Sequence, residues 1–150
     1  MKNKYYLRPK SNGNKIGFVD RNGNWKINPQ YDDVDVFREN VCWVKKDSKW
    51  GLIDSEGNFI IQPQYQGARE FNEGLANVLI KDKWGVVDKK GEIIIHPEFD
   101  FIDSFKNGVA YVKNKGKYGF VFIEDNRVIP TVYDDVRGFS EGLAAVFKDD

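Results

Sequence analysis

The stretch KWGLIDSEGNFIIQPQYQGAREFNEGLANVLIKD, residues 49–82, decides the fold, because the chain repeats it. Lys49 recurs as Lys15, Lys83 and Lys117, and Gly51 as Gly17, Gly85 and Gly119. Ile61 recurs as Ile27, Ile95 and Ile129, Phe71 as Phe37, Phe105 and Phe139, and Val78 as Val44, Val112 and Val146. Every step is 34 residues, so four units run 15–48, 49–82, 83–116 and 117–150 without insertion or deletion. Self-similarity at a fixed period marks a repeat architecture, in which each unit covers an apolar face of its neighbour.

A period of this length also suits a pair of helices per unit. The residue pattern decides for strands. Gly and Pro hold fixed interior places that a helix would not tolerate. The apolar runs are short and rich in Val, Ile, Phe, Trp and Tyr. In the second unit three strands fit, roughly 50–54, 58–62 and 75–80. Asp54 and Gly57 bracket a type I turn, repeated by Asp20 with Gly23 and by Asp88 with Gly91. The link from Ile80 to Trp84 is equally tight, so the folding unit straddles the repeat boundary as a meander such as 75–80, 84–88 and 92–96. Residues 5–8, inside an N-terminal strand segment 1–14, supply the missing first strand, and 143–147 remain as a lone last strand. Connectors of about ten residues begin at Tyr31, Tyr65, Phe99 and Tyr133 and carry the fixed Phe. The reading is one all-β domain over 1–150: stacked three-stranded antiparallel meanders in an open superhelix rather than a closed ring.

Composition narrows the functions. Hydrophobic residues make up 41% and aromatics 15%, enough for a packed core. Lys plus Arg number 23, as do Asp plus Glu, so the net charge of zero gives no reason to expect nucleic acid or an anionic membrane as partner. Cys42 alone can form no intrachain disulfide. No apolar run resembles a signal peptide or a membrane span, and a cytoplasmic location is the expectation.

The run Lys49-Trp50-Gly51-Leu52-Ile53-Asp54, followed by Gly57, Pro63, Tyr65, Phe71, Glu73-Gly74-Leu75-Ala76 and Val78, resembles the bacterial WG-repeat (KWG-type) family. The third unit, from Lys83-Trp84-Gly85 to Val112, is similar. The outer units depart from the pattern: Ile16 and Tyr118 replace the Trp, and the fourth unit has Phe122, Asp125 and Thr131 for the Asp, Gly and Pro. Atypical terminal units are expected where an end faces water. The resemblance implies β-rich repeats and no particular ligand.

Comparing the copies separates scaffold from decoration. Gly85 and its mates suit close approach of a neighbouring backbone or ring. Trp50 and Trp84 read as core, and the fixed Lys as a stem laid across an aromatic. His96 has counterparts Asn28, Gln62 and Pro130 and reads as a tolerant surface position. Cys42 stands where other units have Ala and reads as a small buried thiol. Asp20-Arg21-Asn22-Gly23 lacks the downstream acid of a calcium loop. No catalytic set, metal site or cofactor motif emerges, so no enzyme is expected.

The third strand of each unit alternates faces. Ala76 and Val78 have near-identical counterparts throughout and read as core. The other face varies: Trp43, Asn77, Tyr111 and Ala145, then Lys45, Leu79, Lys113 and Phe147. We read Trp43, Lys45, Asn77, Leu79, Tyr111 and Lys113 as a partner-binding surface, with lateral packing against the connectors as the competing account. Charge adds a second clue. The connectors 31–40, 65–74, 99–108 and 133–142 carry −3, −1, −1 and −2, a total of −7. Asp32, Asp33, Asp35, Asp134 and Asp135 would then attract a basic protein. The function expected is a non-catalytic protein-binding module, in its specific form an inhibitor or immunity protein for a basic toxin. The alternative is a glycan- or peptide-binding module that uses exposed aromatics.

Overall fold

A computed structural model describes residues 6–140 and 142–149, with all their side chains except those of Phe139 and Ser140. Its elements are strands and turns. The first sheet joins β1 (Arg8–Asn12), β2 (Lys15–Val19) and β3 (Trp25–Tyr31). The second joins β4 (Asp33–Val34), β5 (Val41–Lys46), β6 (Lys49–Asp54) and β7 (Phe59–Tyr65). The third joins β8 (Gly67–Ala68), β9 (Leu75–Ile80), β10 (Lys83–Asp88) and β11 (Ile93–Phe99). The fourth joins β12 (Phe101–Ile102), β13 (Val109–Asn114), β14 (Lys117–Phe122) and β15 (Arg127–Tyr133). A ribbon of β16 (Asp135–Ser140) and β17 (Leu143–Phe147) ends the series. Neighbours in each sheet are antiparallel and consecutive in sequence, so the meander straddles the repeat boundary as expected.

Three details differ from the sequence reading. The interior meanders have four strands, because each connector turns back along the third strand. Asp33 pairs with Lys45 and Val34 with Val44, and the Asp35 N–H donates to the Trp43 carbonyl at 2.9 Å. The first strand is Arg8–Asn12 rather than 5–8, of which Tyr5 lies outside the described residues. Its place is 34 residues before Cys42–Lys46, where the period puts it. The last strand is not alone, since its own connector pairs with it as β16.

The fixed glycines and prolines share one cause. On β10, Trp84 pairs with Phe99 and Val86 with Ile95, so Gly85 faces the three residues His96, Pro97 and Glu98. A bulge of this kind bends the strand inward and leaves no need for the N–H that Pro lacks. The carbonyl oxygen of Ile95 is carried to 2.5 Å from where a Cβ on Gly85 would sit. Gly17, Gly51 and Gly119 face Ile27, Ile61 and Ile129 in the same way, at 2.4, 2.7 and 2.3 Å.

The turns obey local chemistry. The Asp54 carbonyl accepts the Gly57 N–H at 3.1 Å, and its carboxylate accepts the N–H of Glu56 and Asn58, both at 2.9 Å. Asp20 and Asp88 repeat the arrangement. The two-residue turn between β5 and β6 is less well served, for Asp47 and Ser48 both adopt the left-handed region, at φ 51° and 65°. The matching third-unit turn places Gly116 at the second position. Ser48→Gly should relieve left-handed strain of about 1 kcal/mol and lose about half of that to added freedom of the unfolded chain. Thermal unfolding should show a rise of roughly 1–2 °C; a fall would mean that the serine hydroxyl supports the turn.

The core lies between sheets. Adjacent residues of each central strand serve opposite sides: Ile53 joins Phe18, Ile27, Tyr31, Cys42 and Val44 below, while Leu52 joins Trp43, Ile61, Phe71, Ala76 and Val78 above. Val87 and Val86 divide the same way, the second packing with Ile102, Phe105, Ala110 and Val112. Each such side chain, removed from water, contributes about 1.5–3 kcal/mol. No sheet buries its apolar surface alone, so the stack is the folding unit.

Candidate functional site

At its central positions in the first two units, Trp43 and Asn77, the face of the third strand that varies between units is not a free surface. Trp43 is 3% exposed, its ring stacked on Phe71 at 5.8 Å and edge-on to Tyr65 at 6.2 Å. Asn77 is 5% exposed, and its Nδ2 donates to the carbonyls of Ile102 at 2.8 Å and Asp103 at 3.3 Å. Tyr111, half-buried, stacks on Phe101 and leans on Tyr118, and burial raises its hydroxyl pKa. Leu79, also half-buried, packs beside Gly67 and pairs in register with Trp84. The ammonium groups of Lys45 and Lys113 lie over Trp50 and Tyr118, at 5.8 and 4.9 Å from the ring centres. At Trp43 and Asn77 the expected partner surface is therefore corrected in favour of the competing account, packing against the connectors: these two hold one sheet to the next. The physical reason is that a strand inside a stack has both faces covered, so variation records different junctions, not exposure.

The connector acids also hold the scaffold. The Lys15 ammonium hydrogen-bonds Asp32, and its second oxygen accepts the Asp47 N–H at 2.9 Å. Lys83 with Asp100 and Lys117 with Asp134 repeat the ion pair, with the N–H groups of Lys115 and Asp149 on the second oxygens. In each case the lysine hydrogen bond comes first in holding the carboxyl below the usual carboxylate range. In the second unit Gln66 takes the place of the acid and exchanges two hydrogen bonds with Asp82. The fixed Lys is thus an ion-pair partner in three units. Asp33, Asp35 and Asp135 each accept the N–H of the next residue, at 2.8–2.9 Å, and Asp33 and Asp135 are exposed. Lys15, Lys83 and Lys117, with Lys89 on Glu39, bring four positive charges from outside the connectors, and Lys45, Lys115 and Lys148 lie near Asp32, Asp100 and Asp134 as well.

The remaining candidates fall where their residue types suggested. Trp50 and Trp84 are half-buried against the inter-sheet clusters. Cys42 is buried with its thiol donating to the Asp35 carbonyl, and burial pushes its pKa well up. His96 is exposed on the bulge. Asp20 spends its carboxylate on turn N–H groups, which lower its pKa, the bond from Asn24 first. Among the described residues no three acids, histidines or cysteines gather to hold a metal.

A groove of about 570 Å³ crosses the connector side, walled by Arg38, Glu70, Asn72, Asn77 and Phe105 among others. Arg38 pairs with Glu70 across it at 2.9 Å. Beside it Arg69 lies between the rings of Trp84 and Phe101, at 4.6 and 5.0 Å, and donates to the Ile102 carbonyl at 3.3 Å. Asn72 donates to the Phe105 carbonyl at 2.6 Å, and the Glu73 carboxylate accepts the N–H groups of Asn107 and Gly108 at 2.9 and 3.0 Å. The sequence reading missed this polar clamp between the third and fourth sheets, because none of its members recurs in every unit. The groove is lined by charges of both signs, Asp35 and Glu70 against Arg38 and Arg69, with Ser104 beside them.

The family model described as WG containing repeat matches residues 16–50, 50–84, 84–118 and 126–150. The gap before the fourth match contains Phe122 and Asp125, two of the departures noted above. No curated protein sequence matches the chain.

Proposed function

The chain belongs to the WG-repeat family, and from that premise we propose that it is a non-catalytic protein-binding module, in its specific form an inhibitor or immunity protein that masks a basic toxin. One observation carries the reading. Asp33 and Asp135 are exposed on the connectors, outside the ion pairs that take up Asp32, Asp100 and Asp134. A surface of one sign steers an oppositely charged partner and sets its on-rate.

The test is kinetic and uses the basic protein recovered with this chain from the native cell. Asp33→Asn with Asp135→Asn should slow association about two- to tenfold at low salt and little at high salt, where screening acts within about 8 Å. The melting temperature should hold, since such surface changes cost within about 0.5 kcal/mol. Asp32→Asn is the control that acts on the scaffold, through Lys15. Association unchanged at low salt would contradict the proposal.

A further inference from the structure

The fixed lysine of the second unit lacks the carboxylate that its three counterparts hold. Lys15, Lys83 and Lys117 each meet an aspartate 17 residues on, at Asp32, Asp100 and Asp134. The same step from Lys49 leads to Gln66. In the other units the aspartate has two duties, one oxygen for the ammonium and one for a turn N–H. Gln66 keeps only the second. Its Oε1 accepts the Asp82 N–H at 3.0 Å, and its Nε2 donates to the Asp82 carboxylate at 3.2 Å. Among the described residues Lys49 is left without an ion pair.

The residue opposite makes the deficit larger. Lys49 pairs in register with Lys46, whereas Lys15, Lys83 and Lys117 face Asn12, Ile80 and Asn114. Like charges directly opposite each other on a ladder are destabilising. Lys46 is likewise without an ion pair among the described residues. A pocket of about 320 Å³ opens beside the two lysines, lined also by Asp47, Phe59, Gln62 and Pro63. Small-ligand sites span about 300–1,000 Å³, so it has room for more than a lone ion. Two lysines against Asp47 give its lining one net positive charge. The half-buried Phe59 and Pro63 supply an apolar wall, and Gln62 is exposed at its rim. A repeat that breaks its own pairing rule at one copy, with no internal compensation, marks that copy as functional.

We infer that the hairpin of β5 and β6 is a binding site for a carboxylate carried on an apolar or aromatic body. The carboxylate does for Lys49 what Asp32, Asp100 and Asp134 do for the other fixed lysines, and it bridges Lys49 to Lys46. Charge-assisted hydrogen bonds from two ammonium groups fix it, and they remove the repulsion between them. Phe59 and Pro63 cover the apolar part. A free organic acid and an acidic side chain beside an aromatic one in a peptide share this chemistry. The site is separate from the basic partner proposed above, which is steered by Asp33 and Asp135.

The test is a titration of the isotope-labelled full chain with phenylacetate, its uncharged amide phenylacetamide, inorganic phosphate and the blocked dipeptide acetyl-Phe-Asp-amide. Signals of the Lys46 and Lys49 side chains and of the Phe59 and Gln62 amides report binding. Phenylacetate should shift them saturably and phenylacetamide should not. Lys49→Gln should weaken phenylacetate binding at least about fivefold. Lys81→Gln, at an exposed lysine of the next turn, should leave it unchanged. Gln66→Asp restores the acid of the other units and should weaken binding as much as Lys49→Gln does, with every lysine still present. A dipeptide that binds more tightly than phenylacetate assigns the site to an acidic peptide, and one that binds more weakly assigns it to a free acid. An equal response to phenylacetamide, tighter binding of phosphate than of phenylacetate, or full binding by Gln66→Asp would each overturn the inference.

Discussion

Gly85→Ala should destabilise the protein by about 2 kcal/mol or more, lowering its melting temperature by roughly 4–8 °C. The glycine is not there for an unusual φ. A single Cβ would meet the Ile95 carbonyl oxygen at 2.5 Å and the Pro97 nitrogen at 2.8 Å, and both are backbone atoms that cannot swing aside. The bulge would have to open, and with it the pairing of Trp84 with Phe99 that seats the connector. Gly85→Val should be worse. Gly138→Ala is the control, since nothing lies within 4 Å of its Cβ position, and should stay within about 0.5 kcal/mol. Thermal unfolding of the variants decides it; an alanine at 85 that melts with the wild type would show that β10 and β11 do not approach as described.

Trp43→Ala is the second large effect, at about 3–5 kcal/mol, or roughly 6–20 °C in melting temperature. The indole fills the junction between the second and third sheets against Tyr65 and Phe71, and its removal leaves a cavity that β-sheets cannot close by small shifts. Trp43→Phe should cost far less. Its ring keeps the stack, and it discards an indole N–H that is buried without a hydrogen-bond partner. If Trp43→Ala left stability alone and only quickened release of a bound protein, the residue would be a surface anchor after all.

That contrast shows what was legible in the sequence. The 34-residue step, the strand boundaries of the third strand at Leu75 and Ile80, and the Asp–Gly turns were all readable, because each rests on local chemistry that repeats. The requirement for Gly85 was readable as a rule, though the bulge behind it was not, since bulges follow from pairing across strands. The two-residue strands β4, β8 and β12 were too short to have a period. The face carrying Trp43 and Asn77 was misread because variability was equated with exposure. In a stack, each junction is a separate jigsaw, and Trp43 on Phe71 is one solution while Asn77 on the Ile102 carbonyl is another. The ion pairs were within reach: Lys15, Lys83 and Lys117 each have an Asp 17 residues on, a fixed offset that pointed to Asp32, Asp100 and Asp134 as structural before they could be called a docking surface.

The central claim is that successive sheets stack through both faces of the third strand, and nuclear Overhauser contacts across one junction test it most directly. The Trp43 indole protons should show strong cross-peaks to the Phe71 ring, whose centre is 5.8 Å away, and the Asn77 side-chain amide should be protected from exchange by the Ile102 carbonyl at 2.8 Å. An indole without cross-peaks to Phe71 or Tyr65, beside an Asn77 amide that exchanges at the rate of free solvent, would contradict the stack and return that face to the surface.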